Sequence, residues 1–262
     1  MTMPLDRDSF DDVELTMIDL LVRDGSSIPA VFARPLGNGP FPAVVIGAEG
    51  TGINTFIRRL AATFAHEGYV AIVPDYYRGH GPASPDDYDD FVTLMAYIGA
   101  LDFGQAVHDV LDGIEHLKTL PFVDSSRIAS WGYCTGGTMA LFAACLSADL
   151  AASVVFFPSQ PTFDELTPAK PVHAADLLWN ISCPILFLIG DQDVVLPPAA
   201  REEFRGRLDT WGVDARIEVY EGAPHAFNAH GSSMYHQAAD EQSWADATAF
   251  LAELLRPTAA TG

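Results

Sequence analysis

The stretch Gly132-Tyr133-Cys134-Thr135-Gly136-Gly137 constrains this chain more than any other. It follows an apolar run, residues 127–131, with the alternation of a strand, and precedes residues 138–147, which read as a helix. A strand that turns directly into a helix brings neighbouring backbones close, and glycine at 132 and 136 leaves room for that approach. The turn also sets Cys134 at a helix N-terminus, where exposed N–H groups and the helix dipole favour an anion. There a thiol pKa can fall from about 8.5 into the range of roughly 3.5–7.5. The plainer reading of the same hexapeptide is a small buried cysteine in a Gly-rich turn.

The rest of the chain supplies the frame. Residues 13–22 and 28–34 are strand-like runs around Asp24-Gly25-Ser26-Ser27, a hairpin signal over about 13–34. Residues 42–50 form a near-continuous apolar run, typical of a strand buried on both faces. Asn54 caps a helix whose Ile57, Leu60, Ala61 and Phe64 share one face, and Gly68 ends it. Residues 69–77 read as the next strand, 78–90 as loop, and 91–120 as helix with a break marked by Gly99 and Gly104. Further strands are expected at 152–157, 184–190 and 215–220. Between them lie a Pro-rich excursion over 159–180, with a short helix near 173–178, and a helix over 195–208. A last helix covers 235–255, and the tail 256–262 is expected to fray. Strands alternating with helices imply an α/β domain spanning 1–262, with a mostly parallel central sheet and helices on both faces.

Composition removes several classes of function. A net charge of −21 repels nucleic acid and anionic lipid, so neither is expected as a partner. The longest apolar runs are strand-length, and the acidic first dozen residues lack the apolar core of a secretory signal, so cytoplasmic localisation is expected. Three cysteines, an odd and sparse number, argue against a disulfide framework. Cys145 and Cys183 read as core filler. The histidines show no helical zinc spacing, and neither a dinucleotide fingerprint nor a phosphate-binding loop is present. No metal and no cofactor are expected.

In parallel sheets ligands bind beyond the carboxyl ends of the strands. The residues at those ends are Glu49, Arg78, Cys134, Asp191 or Asp193, and His225. A nucleophile, an imidazole, carboxylates and a guanidinium thus project to one sheet edge, and Cys…Asp…His is a recognised chain order for a hydrolytic triad. The thiolate would attack a carbonyl carbon, His225 would stabilise the thiolate and later activate water, and an aspartate would orient His225. Backbone N–H groups of Thr135 and Gly50 would hold the oxyanion.

On these residues the chain resembles the dienelactone hydrolase family of the α/β-hydrolase fold. The matching segments are Gly47-Ala48-Glu49-Gly50, Pro74-Asp75-Tyr76-Tyr77-Arg78, the Cys134 hexapeptide, Gly190-Asp191-Gln192-Asp193, and Tyr220-Glu221-Gly222-Ala223-Pro224-His225-Ala226-Phe227. The resemblance implies the triad Cys134, Asp193 and His225, a Glu49 that contacts the thiol and helps activate it when substrate binds, and an Arg78 that binds a substrate carboxylate. It implies hydrolysis of small carboxylic esters or lactones, as by a carboxymethylenebutenolidase (EC 3.1.1), without a metal. One position departs: the family's second carboxylate-binding arginine, four residues after the histidine, is Ala229 here. Dienelactone is therefore expected to be a poorer substrate than neutral or smaller esters. Two other classes compete, a turnover-deficient binding protein on the same fold and a Cys134 redox sensor. The sequence leaves monomer and homodimer open.

Overall fold

A computed structural model describes residues 3–4, 9–88 and 90–255. The tail 256–262, expected to fray, lies outside them. Eight strands form one sheet: β1 Val13–Leu21, β2 Ser27–Pro35, β3 Phe41–Gly47, β4 Val70–Pro74, β5 Val123–Tyr133, β6 Leu150–Phe156, β7 Ile185–Gly190 and β8 Ala215–Tyr220. Their spatial order is β1-β2-β4-β3-β5-β6-β7-β8. β1 pairs antiparallel with β2, and β2 antiparallel with β4; every other pair is parallel.

Among the described residues six α-helices accompany them: α1 Thr55–His66, α2 Phe91–Ala100, α3 Phe103–Thr119, α4 Thr135–Leu146, α5 Pro198–Trp211 and α6 Gln237–Leu255. Successive residues of a strand point to opposite faces. On β5, Ser130 donates to the Ala140 carbonyl of α4, while neighbouring Trp131 meets Phe64 of α1 and Trp244 of α6 edge-on. Helices therefore cover both faces, and β3, β4 and β7, apolar throughout, are buried along almost their full length.

The chain leaves β3 for β4 on one side and returns to β5 on the other. This reversal opens a crevice beyond the carboxyl ends of β3 and β5. Glu49 and Gly50 follow β3 there, and Cys134 follows β5.

Several expected boundaries shift for local reasons. β4 stops at Pro74 instead of running to residue 77, because the Asp75 carboxylate accepts the Tyr77 and Gly79 N–H groups and folds a turn. The long helix breaks at Leu101-Asp102, where Asp102 caps α3 by accepting the Gln105 N–H. Residues 173–178 form no α-helix; two 3-10 turns, Ala174–Asp176 and Leu178–Asn180, stand in its place.

Candidate active site

The elbow after β5 is built from backbone contacts that leave no space for side chains. A Cβ on Gly132 would lie 2.0 Å from the Gly136 carbonyl oxygen, and one on Gly136 would lie 2.1 Å from that of Gly47. Cys134 itself takes φ 53° and ψ −116°, a region that non-glycine residues rarely occupy and that often marks functional sites. Its side chain is thereby lifted out of the sheet onto the first turn of α4.

His225, in the loop after β8, places Nε2 3.1 Å from Cys134 Sγ. Its Nδ1 lies 2.9 Å from Asp193 Oδ2. The other Asp193 oxygen accepts the Val195 and Leu196 N–H groups at 2.8 and 3.1 Å, which fixes the carboxylate. Asp191 acts elsewhere, accepting the Gly222 N–H at 2.7 Å and so joining the ends of β7 and β8. Phe157 packs edge-on against the His225 ring.

The electrostatics single out one cysteine. Burial pushes the Cys134 thiol up, but the charge and hydrogen bond of His225, helped by the Thr135 N–H, outweigh burial and hold it below its ordinary value. Burial chiefly, with the nearby Cys183 adding to it, drives Cys145 up to about 12, and burial drives Cys183 up to about 11 against a backbone hydrogen bond. Burial likewise disfavours the His225 imidazolium, yet the facing thiolate and Asp193 raise its pKa to about 10. Asp193 is desolvated too, and its hydrogen bond to His225 keeps it below the usual carboxylate value. Both shifts favour a thiolate paired with an imidazolium, an arrangement in which both ring N–H groups donate.

This pair has a measurable signature. Alkylation of Cys134 by iodoacetamide should rise with pH through an apparent pKa below 9.0, the ordinary thiol value, because the thiolate reacts. In His225→Gln the inflection should move upward. A wild-type inflection at or above that of a free thiol would contradict the ion pair.

Glu49 lies on the same cavity as Cys134, but its hydrogen bonds do not reach the thiol. Its Oε2 accepts from Tyr88 Oη at 2.6 Å and Asn54 Nδ2 at 2.9 Å, and its Oε1 accepts from Asn228 Nδ2 at 3.2 Å. Three donors thus hold the carboxyl beside the cavity. Burial raises its pKa against these donors. Asn54 serves twice, since its Oδ1 also caps α1 through the Ile57 N–H. That cap was legible in the sequence, while the bonds from Tyr88 and Asn228 to Glu49 carry no sequence signal because they join separate loops.

Arg78 does not reach the cavity. Its guanidinium grips the buried Asp109 at 2.6 and 2.8 Å and bonds Asp24 at 2.7 Å, so its donors are spent within the protein. The cavity lining therefore does not include the arginine that the resemblance implied for substrate binding. Arg78→Ala should cost about 3 kcal/mol of stability by stranding the Asp109 carboxylate, read from the denaturant midpoint. Ester kcat/KM should change by less than about threefold; a rise in KM confined to anionic esters would restore the binding role.

Gly50 borders the cavity, and Thr135 opens α4 beside the sulfur. Tyr76 and Tyr77 pin the backbone of this loop through the Glu49 and Gly50 carbonyls, at 2.5 and 2.7 Å. The cavity, about 210 Å³, is otherwise lined chiefly by Phe91, Leu94, Met95 and Ile98 of α2, with Val195 and Met234. Among the described lining residues there is no lysine or arginine. Ala229 is fully buried outside it, and neighbouring His230 pairs with Asp240 at 2.8 Å. Among the described residues no helix is long and apolar enough to cross a membrane, and no cluster of three metal-ligating side chains occurs.

An eight-stranded, mostly parallel sheet with a strained nucleophile elbow at the crevice between β3 and β5 defines an α/β-hydrolase fold. The sequence profile of the dienelactone hydrolase family matches residues 28–255, and the chain belongs to that family. A Bradyrhizobium sp. protein named "Probable 2-oxo-3-(5-oxofuran-2-ylidene)propanoate lactonase" is 31% identical over 87% of this chain and 90% of its own length. An Escherichia coli K12 protein assigned as a carboxymethylenebutenolidase is 32% identical over 89% of this chain and 85% of its own. A crystal structure from Klebsiella pneumoniae, assigned as a dienelactone hydrolase, superposes with a TM-score of 0.82 at 29% identity. That likeness covers 92% of this chain and 99% of the other.

Proposed function

We propose that the protein hydrolyses small, uncharged carboxylic esters or lactones through a covalent thioacyl intermediate on Cys134. The carrying observation is the continuous chain of contacts Cys134 Sγ to His225 Nε2 and His225 Nδ1 to Asp193, beside a cavity of ester size. The thiolate attacks the substrate carbonyl carbon, and the developing oxyanion is held by the N–H groups of Gly50 and Thr135. The tetrahedral intermediate expels the alcohol oxygen, which takes the proton that the His225 imidazolium already carries. Neutral His225 then removes a proton from water as it attacks the thioester, and the carboxylic acid leaves while the thiolate–imidazolium pair re-forms. Asp193 keeps the His225 ring oriented throughout.

The lining supports the neutral preference. With Ala229 in place of a basic residue and Arg78 committed to Asp109, a substrate carboxylate would enter an apolar cavity with no side-chain cation other than His225. A charge-assisted contact of this kind contributes about 1.5–3 kcal/mol, roughly tenfold to a hundredfold in affinity. We expect kcat/KM for a neutral short-chain aryl ester to exceed that for dienelactone by at least about tenfold. Higher efficiency on dienelactone would overturn the preference, and no hydrolysis of any ester or lactone would overturn the enzyme reading itself. The relatives named as lactonase and carboxymethylenebutenolidase support the reaction class.

A further inference from the structure

The proposed chemistry leaves part of the cavity wall unused. Ser159 and Gln160, from the segment after β6, line it. Each holds a buried polar atom, Ser159 Oγ and Gln160 Oε1, with no hydrogen-bond partner among the described residues. Buried polar atoms in folded proteins are nearly always paired, so two orphans on one cavity wall point to a ligand.

The segment that carries them is fixed. The Ser159 N–H donates to the Cys134 carbonyl at 3.1 Å, and the Gln160 N–H donates to Thr138 Oγ1 at 3.1 Å. Phe157, fully buried, takes φ 33°, and its N–H donates to the Leu188 carbonyl at 2.8 Å. A bulky residue at positive φ is strained, and such strain persists only where the surroundings over-determine it. Here it turns the chain back from β6, so that Ser159 and Gln160 are tied to the elbow and to the first turn of α4.

The chemistry of the two atoms defines what they would receive. An amide oxygen only accepts, so Gln160 Oε1 requires a donor, while a serine hydroxyl either donates or accepts. A buried ammonium would need an ionised partner. The one carboxylate on the described lining, Glu49, already accepts from Tyr88, Asn54 and Asn228. The remaining wall, Phe91, Leu94, Met95 and Ile98, accepts hydrocarbon.

We propose that Ser159 and Gln160 form a polar subsite for an uncharged hydrogen-bond donor on the substrate, a hydroxyl or amide N–H near the scissile carbonyl, while an apolar part of the same molecule lies against α2. The turnover arm of its test rests on the hydrolase reading above; the binding arm does not.

In the turnover arm, phenyl butanoate is compared with phenyl 3-hydroxybutanoate, and phenethyl butanoate with its 2-hydroxy-2-phenylethyl counterpart, so that both sides of the ester are covered. In the wild type, the hydroxylated member of at least one pair should show kcat/KM about fivefold to tenfold higher than its partner. In Gln160→Leu, and in Gln160→Leu combined with Ser159→Ala, that ratio should fall to about one. A wild-type ratio at or below one on both sides would overturn the subsite, as would a preference that survives the double substitution. In the binding arm, the corresponding N-methyl tertiary amides, which carry no amide N–H, are tested for protection of Cys134 against iodoacetamide. Hydroxylated amides should protect the wild type at about fivefold lower concentration than their parents, and this difference should vanish in the variants. Differential protection without ester turnover would keep the subsite and remove the hydrolase reading; equal protection by hydroxylated and parent amides would remove the subsite whatever the turnover.

Discussion

Cys134→Ala should lower kcat/KM for a short-chain aryl ester by about four orders of magnitude, leaving only the residual rate that substrate binding and the oxyanion donors supply. The reason is in the pairing at rest. Sulfur and imidazole stand 3.1 Å apart, and each shifts the other toward its charged form. Alanine removes the nucleophile and also the anion that keeps His225 protonated. His225→Gln should come close to the same loss, because glutamine neither stabilises the thiolate by charge nor protonates the leaving oxygen. The two defects should combine to little more than either alone, as for groups that act as one unit. Esterase assays on wild type, both single variants and the double variant check this, with circular dichroism to confirm folding. Equal background rates in all four would sink the hydrolase reading. Peroxide sensitivity through Cys134 without esterase activity would favour the sensor, although Cys145 is fully buried and poorly placed to resolve a sulfenic acid.

The second large effect is on folding. Gly132→Ala should destabilise the protein by about 3 kcal/mol or more, since overpacking a rigid site costs at least that when the obstacle cannot move. The added Cβ would meet the Gly136 carbonyl oxygen at 2.0 Å and its carbon at 2.3 Å, and both are backbone at the start of α4. Relief requires α4 to move off β5, which would also displace Cys134 from His225. Chemical denaturation should show the lower midpoint, and residual esterase activity should fall in the fraction that folds. As a control, Gly25→Ala lacks any heavy atom within 4 Å and bears only the strain of its φ of +84°, so its cost should be smaller. A Gly132→Ala protein as stable and as active as wild type would mean the elbow has slack that its contacts deny.

The parts of the fold legible in the sequence were those with a local cause. Buried parallel strands such as β3 and β7 announce themselves as continuous apolar runs, and Asn54 marks the start of α1 as a cap. What misled the sequence reading was also local but subtler. The apolar run after Gly68 looks like strand through Tyr77, yet Asp75 diverts two N–H groups into a turn. Residues 173–178 have helix-compatible composition, but the segment packs as two 3-10 turns between prolines and loop.

For the site, chain order and strand ends alone located Cys134, His225 and Glu49 at one sheet edge, since every parallel strand delivers its carboxyl end there. Three matters required the tertiary structure. Asp191 and Asp193 are two residues apart on the same loop; spacing left them open and the family resemblance implied Asp193, while the loop's path supplies the cause, with one bridging β7 to β8 and the other meeting His225. Arg78 sits at a strand end like the others, yet the hairpin and α3 bring Asp24 and Asp109 to it and turn it away from the cavity. Glu49 has its hydrogen bonds set by Asn54, Tyr88 and Asn228 from three separate segments, and Ser159 and Gln160 become a wall only because Phe157 bends the chain back. The sequence determines which chemical groups stand at the sheet edge, because that follows from element order. Which partner each group faces depends on loops that meet in space without any fixed spacing in the chain, and there the folded structure decides.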